Sequence, residues 1–68
     1  MKLSARNQLK GKILEVRKGV TTAHIRINIG GGAVITASIT NEAVDELDLK
    51  EGDDATAVIK ASDVMVAK

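Results

Sequence analysis

The feature that most constrains the fold is a run of alternating apolar and polar residues interrupted by three glycines, "TTAHIRINIGGGAVITASIT". Between residues 23 and 29 every odd position is Ala or Ile, while the even positions carry His24, Arg26 and Asn28. A two-residue period of this kind is typical of a half-buried strand. The alternation resumes over residues 33–40. Because a short glycine loop is a good hairpin connection, the run predicts a β-hairpin.

The simplest register of this hairpin places apolar residues opposite one another. With Ile29 opposite Ala33, the apolar pairs are Ile27 with Ile35, Ile25 with Ala37, and Ala23 with Ile39. The polar pairs on the other face are Thr22 with Thr40, His24 with Ser38, and Arg26 with Thr36. A bulge at the loop would shift these pairs.

The rest of the chain predicts three further strands and one short helix. A strand is expected over about residues 7–17, with a bend at Gly11. "TNEAVDELDL" offers Thr or Asn as a cap, acidic residues in the first turn, and Val44 and Leu47 three apart, which is typical of a short helix. "ATAVIKAS" and "DVMVAK" predict two last strands. We therefore expect an all-β domain of residues 1–68, a five-stranded OB-like Greek-key barrel with one short helix between strands 3 and 4.

The size and composition of the chain indicate association with further copies. At 68 residues it buries only about 60% of the surface that its unfolded form exposes. The absence of cysteine excludes disulfides and thiolate zinc sites, and the single histidine, His24, argues against an imidazole-based metal site. Several strands are apolar on both faces, with Leu14 and Val16 flanking the face of Ile13 and residues 64–66 unbroken. Buried subunit contacts would cover such faces.

Nucleic-acid binding is the alternative function for an OB-like barrel, because this fold commonly binds oligonucleotides. Such binding depends on aromatic side chains that stack on the bases beside a basic groove. The chain has no Phe, Tyr or Trp, and ten basic against nine acidic residues give it a net charge of +1. Its composition therefore argues against a nucleic-acid partner.

Catalysis and membrane insertion find no support in the sequence. No Ser/His/acid or Cys/His set is visible, and the acids around the predicted helix are typical of solvated surface. Gly30–Gly32 leads into a strand without a Lys-Ser/Thr pair, so it is a turn and not a phosphate loop. No apolar run approaches the roughly 20 residues of a membrane helix, and no signal-peptide pattern is present. We expect a cytoplasmic protein that is not an enzyme.

One constellation of hydrogen-bond donors points to an anion. Its members are Ser4, Arg6 and Asn7 near the start, Thr40 and Asn41 at the head of the helix, and Lys60 with Ser62 near the end. A small tetrahedral dianion is bound by such a set, in which arginine supplies a fork of donors, lysine a point charge, and hydroxyls the rest. The residues alone also fit ordinary solvated polar positions and helix caps.

A family resemblance favours the anion. The opening "LSARNQLKGK" differs in its first letter only from "ISARNQLKGK", the signature of the molbindins, small molybdate-binding proteins. "KGVTTA", the glycine turn, "ITNEAVDELDLKEG" and "AVIKASDVMV" follow in family order. The resemblance covers essentially the whole chain, which is therefore identified as similar to the molbindin family.

The resemblance implies an OB-like barrel that binds molybdate or tungstate where subunits of a homo-oligomer meet, as a hexamer built as a trimer of dimers. The implied oxyanion-binding residues are Ser4, Ala5, Arg6, Thr40, Lys60 and Ala61, with Val20 and Thr22 at a second site. Position 43 carries Ser in some relatives and Ala43 here, which removes one side-chain donor. Arg6 and Ser4 would face the Lys60 segment of a neighbouring subunit. The implied role is intracellular molybdenum storage.

Overall fold

The structure, a computed structural model, describes residues 4–68. Its elements are β1 (Asn7–Lys18), β2 (Thr22–Gly30), β3 (Ala33–Thr40), the helix α1 (Asn41–Leu47), β4 (Asp54–Ile59) and a 3₁₀ turn (Ala61–Asp63). The four strands form one antiparallel sheet in the order β3-β2-β1-β4. The predicted mostly-β fold with a short helix after the third strand is confirmed. No helix in the described chain is long and apolar enough to cross a membrane.

The hairpin of β2 and β3 has the predicted register along most of its length. All three polar pairs and the apolar pairs of Ala23, Ile25 and Ile27 form as expected. The expected pair of Ile29 with Ala33 is wrong, because Gly30 takes that place after a register shift at Asn28. The Asn28 side chain accepts a hydrogen bond from the Gly30 N–H at 2.9 Å and stabilises this bulge.

The long strand β1 is shared between two neighbours. Its first half pairs with β4 and its second half with β2, and a register shift between Ile13 and Glu15 separates the two parts of the β2 pairing. At Gly11 the strands approach so closely that an added Cβ would lie 2.3 Å from the backbone oxygen of Asn28. The predicted bend at Gly11 thus coincides with a place where only glycine fits.

The core is small and aliphatic. Its buried members are Ile13, Ala23, Ile25, Ile27, Val44 and Ala57. Val44, from α1, covers the end of the sheet, whereas Leu47 on the same helix is 66% exposed. An apolar groove of about 580 Å³ runs beside these residues between β3 and β4, lined in part by Ile35, Leu47 and Val58. One chain therefore leaves much of its apolar surface uncovered.

The predicted fifth strand is absent from the described chain, so a single copy does not form the five-stranded Greek-key barrel. β4 ends at Ile59, and residues 64–68 belong to no strand. The turn at Ala61–Asp63 is closed by hydrogen bonds within residues 60–64, which use the N–H groups that a continuing strand would offer to a neighbour. Met65 and Val66 are then 94% and 93% exposed. Both β3 and β4 remain sheet edges.

Candidate oxyanion-binding site

Five of the six residues predicted for the principal site lie at one end of the sheet. Asn7, the first residue of β1, pairs with Ile59, the last residue of β4. The Asn7 side chain also donates a hydrogen bond to the Ile59 carbonyl at 3.1 Å. The segments just outside this pair are therefore neighbours. We call this the terminal end, and it comprises Ser4–Arg6 and Lys60–Ala61.

The two cations of the terminal end are available to a ligand. Arg6 and Lys60 are exposed, and neither forms an ion pair with any residue in the range 4–68. Other basic residues, among them Lys12 and Lys18, are paired with carboxylates. An arginine fork and a lysine point charge without a counterion attract a small anion electrostatically.

Thr40, the sixth predicted residue, lies at the other end of the sheet. It pairs with Thr22 at the start of β2 and caps α1, where its Oγ1 accepts a hydrogen bond from the Ala43 N–H at 3.1 Å. The hydroxyl uses an oxygen lone pair for this cap, so its proton remains available to an anion. We call this the helix end, and it comprises residues 19–22 with Thr40 and Asn41.

The length of β1 separates the two ends. β1 contains 12 residues between Asn7 at the terminal end and Lys18 at the helix end. An ideal strand rises about 3.3 Å per residue, so β1 runs along much of the molecule, whose longest extent is 34 Å. Thr40 therefore does not complete a shell around Arg6 and Lys60 of its own chain. Within one chain, Arg6 and Lys60 already lie at the same end of the sheet, and the contact of Arg6 with Lys60 of a neighbouring subunit stays a prediction.

Two of the predicted donors are already used within the fold. The Asn7 amide donates to Ile59, as described above. The Asn41 amide donates to the carbonyls of Gly19 and Val20 at 3.0 and 3.3 Å. Both asparagines stand at the first position of an element, and this position is the signal that would have identified their structural role. Ser62 lies in the exposed 3₁₀ turn beside Ala61.

The residues predicted for the second site lie in and beside the connection between β1 and β2. Val20 is 97% exposed at the tip of this connection, and Thr22 begins β2. The Gly19 N–H donates to the Thr22 carbonyl at 2.7 Å and closes the turn. The second-site residues therefore belong to the helix end, together with Thr40.

On a further basic surface, beside Lys10 and Lys12, one of the two charges is compensated. The Lys12 Nζ lies 2.7 Å from Asp54 Oδ1. This hydrogen bond and the attraction between the charges raise the pKa of Lys12 and lower the pKa of Asp54. No group of three or more His, Cys, Asp or Glu residues able to hold a metal ion occurs within residues 4–68.

The sequence and the fold of the chain are similar to those of known proteins. The TOBE domain model matches residues 3–66. Molybdenum-pterin-binding protein 1 of Clostridium pasteurianum is 53% identical over 66 residues, covering 97% of both chains. The structure of a molybdate-binding protein from Sporomusa ovata superposes with a TM-score of 0.93 at 40% identity and covers both chains fully.

A third relative was solved with its ligand. The cytoplasmic molybdate-binding protein ModG, in a crystal form with molybdate bound, matches with a TM-score of 0.91 at 46% identity. The match covers 96% of this chain and 46% of that one. The family match spans nearly the whole sequence, and relatives of the same length are about half identical to it. The chain belongs to the TOBE domain family and, within it, to the molybdenum-pterin-binding proteins, the molbindin family that its N-terminal motif "LSARNQLKGK" resembles.

Proposed function

We propose that the protein, acting as one domain of residues 1–68, binds molybdate and tungstate at sites completed between subunits of a homo-oligomer. The observation that carries the proposal is the division of the donors between two ends of the sheet. Arg6 and Lys60 stand without counterions at the terminal end, and Thr40 offers its hydroxyl proton at the helix end. The binding of molybdate by similar proteins supports the choice of ion.

The chemistry of the donors supports an anion without a proton of its own. Arg6, Lys60 and backbone N–H groups only donate hydrogen bonds. Molybdate, tungstate and sulfate are fully deprotonated dianions at neutral pH, whereas phosphate usually carries a proton that needs an acceptor. A buried donor facing that proton loses about 1–3 kcal/mol. We expect molybdate and tungstate to bind alike, sulfate much more weakly because its oxygens are too close together, and phosphate most weakly unless Glu42 turns inward to accept its proton.

The open barrel supports the oligomer. Both β3 and β4 are unpaired edges in one chain, an apolar groove lies between them, and the apolar residues 64–66 are exposed. In the assembly, this C-terminal segment acts as the fifth strand of a Greek-key barrel and covers that groove in a neighbouring copy. The same contact brings the terminal end of one subunit to the helix end of another. A hexamer, built as a trimer of dimers, would both cover the apolar groove and bring the terminal end of one subunit to the helix end of another.

The biological role we propose is storage of molybdenum in the cytoplasm. Charge-assisted hydrogen bonds contribute roughly 1.5–3 kcal/mol each, so a few of them hold the ion tightly without any reaction. The protein is accordingly a binding protein and not an enzyme. We expect no binding of single-stranded nucleic acid, because the chain has no aromatic residue on which bases would stack.

Titration calorimetry with molybdate tests the proposal. Arg6→Ala and Lys60→Ala should each weaken binding at least tenfold, or about 1.4 kcal/mol, because each removes a charged donor. Arg26→Ala and Lys10→Ala are matched controls, since they remove the same charges from exposed positions outside both ends. Equal losses in all four variants would contradict a built site and indicate attraction by general positive charge.

A further inference from the structure

The side chain of Asn41 holds the connection between β1 and β2. Its amide group donates to the carbonyls of Gly19 and Val20 at 3.0 and 3.3 Å. Its backbone N–H donates to the carbonyl of Thr21 at 2.9 Å. Three consecutive carbonyls of the connection therefore point towards one residue, the first residue of α1.

This arrangement fixes where the N–H groups of the connection point. In a trans peptide the C=O and the following N–H point in opposite directions, and no cis peptide occurs in the described chain. The N–H groups of Val20, Thr21 and Thr22 therefore point away from Asn41. No hydrogen-bond acceptor within residues 4–68 takes the N–H of Val20 or Thr21. Successive free N–H groups of this kind form a concavity that binds anions.

The other atom of the Asn41 amide shows that this side chain does not itself touch an anion. Asn41 Oδ1 is buried and has no hydrogen-bond partner in the described chain. It is an acceptor, and an oxyanion offers it nothing to accept. The amide nitrogen is committed to the loop carbonyls. The amide nitrogen thus serves the shape of the connection and is not a free donor to the ion.

We propose that Asn41 is the positioning residue of the second oxyanion site. By holding three carbonyls inward, it presents the N–H groups of Val20 and Thr21 outward as donors to the ion. The inference rests on the proposed function, because that function supplies the anion. The inference adds Asn41, a residue that the resemblance to the molbindin family does not assign to either oxyanion site.

Two substitutions remove this hold in different ways. Asn41→Asp keeps the size of the side chain but places a carboxylate oxygen against two carbonyls, which repels them. Asn41→Ala removes the donor without adding charge, so it separates the loss of positioning from electrostatic repulsion of the ion. Asn28→Asp is the matched control, because the Asn28 Oδ1 accepts its hydrogen bond from Gly30 and the carboxylate preserves that acceptor.

The experiment combines molybdate calorimetry with amide NMR spectra of the full chain. The wild-type protein should show two classes of site, and both Asn41 variants should weaken one class about tenfold, or about 1.4 kcal/mol. The amide signals of Val20 and Thr21 should respond to molybdate in the wild type and in Asn28→Asp, but no longer in Asn41→Ala. The signals of residues 4–6 should respond in all three proteins.

The outcomes separate this inference from the function on which it rests. If Asn41→Ala retains both classes of site, or if the wild type has one class that never shifts Val20 and Thr21, the positioning role is overturned and the proposed function stands. If the wild type binds no molybdate, the proposed function itself is wrong.

Discussion

The helix end and the terminal end of the sheet are built in different ways. At the helix end, Thr40 caps α1, and Asn41 fixes the preceding connection through two side-chain hydrogen bonds and one backbone hydrogen bond. At the terminal end, Ser4–Arg6 lie outside any strand, and the chain beyond Lys60 is an exposed turn followed by apolar residues. Hydrogen bonds within the chain fix the helix end. The terminal end instead exposes charges and apolar surface that no contact within the described chain holds in place.

The two ends differ in how much conformational freedom each loses when the ion binds. A preorganised loop loses little conformational freedom when a ligand binds, so more of the interaction energy appears as affinity. A flexible segment loses that freedom when it is ordered. In the proposed assembly, subunit contacts order the terminal end before the ion arrives, and the helix end of a neighbour provides the rigid wall.

The largest expected effect comes from the apolar residues beyond the terminal end. Met65→Asp combined with Val66→Asp should dissociate the oligomer and abolish molybdate binding, because two charges cannot be buried without partners. Light scattering at micromolar concentration measures the mass. Asn28→Asp also adds a negative charge, at an exposed position on β2, which is not an edge strand, and should leave the mass unchanged. An intact oligomer in the double variant would show that this segment does not join the subunits.

The second effect concerns where stability is concentrated. Ile25, on β2, is 2% exposed, and Ile25→Ala should lower the free energy of unfolding by about 2–5 kcal/mol. Leu9→Ala, on the first half of β1 and only half-buried, should cost clearly less. Urea unfolding of the two variants gives the comparison. A larger loss for Leu9→Ala would place the stable core at the terminal end.

A smaller effect is expected at the cap of α1. Thr40→Ala removes the acceptor of the Ala43 N–H and should lower the free energy of unfolding by about 1 kcal/mol. Thr40→Ser keeps the hydroxyl and should retain both the stability and molybdate binding. Thermal unfolding and calorimetry distinguish the two roles of Thr40. Unchanged molybdate binding in Thr40→Ala would mean that the hydroxyl is a cap alone.

The smallest effect belongs to the surface pair of Lys12 and Asp54. Asp54 has a lowered pKa, so its stabilising contribution is present above its unfolded pKa and is lost as the pH falls through the folded value. Lys12 has a raised pKa, so its contribution is lost only as the pH rises through that value. Both side chains are well exposed, at 66% and 86%, so solvent screens the pair.

Urea midpoints at neutral and strongly acidic pH check this prediction. Asp54→Asn should lie marginally below the wild type at neutral pH, and the difference should vanish at acidic pH, where Asp54 is protonated in both states. A loss as large as that of Thr40→Ala would show that the pair matters more than its exposure indicates.

Local patterns in the sequence were sufficient to predict the hairpin and the helix. The alternation of Ile25, Ile27 and their partners defines which face is buried, and one face of a strand needs no distant information. A bulge at the loop was foreseen as an alternative, but the sequence did not show that it forms, because it depends on the hydrogen bond that the Asn28 Oδ1 accepts from the Gly30 N–H. The predicted fifth strand is absent from the described chain, since an apolar run indicates burial without saying which copy of the chain provides the cover.

The members of the candidate site remain a prediction from sequence motifs, and the structure adds how they are arranged within one chain. Ser4, Arg6 and Lys60 were recognised through motifs, because donor types and order survive in the sequence. Their separation from Thr40 follows from strand register and the length of β1. Asn41 was counted as a donor to the ion because a residue type does not reveal that its N–H groups are already committed.

The close approach at Gly11 has a consequence for how the strands find one another during folding. Strands rich in similar aliphatic residues, such as β1 and β2, tolerate sliding by two positions, because the buried face stays apolar. Any such slip would carry a residue with a side chain to the spot where Gly11 meets the Asn28 backbone, and a Cβ there would overlap the oxygen. The absence of a side chain at Gly11 thus permits one alignment of the two strands and excludes the neighbouring ones, which protects the chain from misaligned, aggregation-prone pairings.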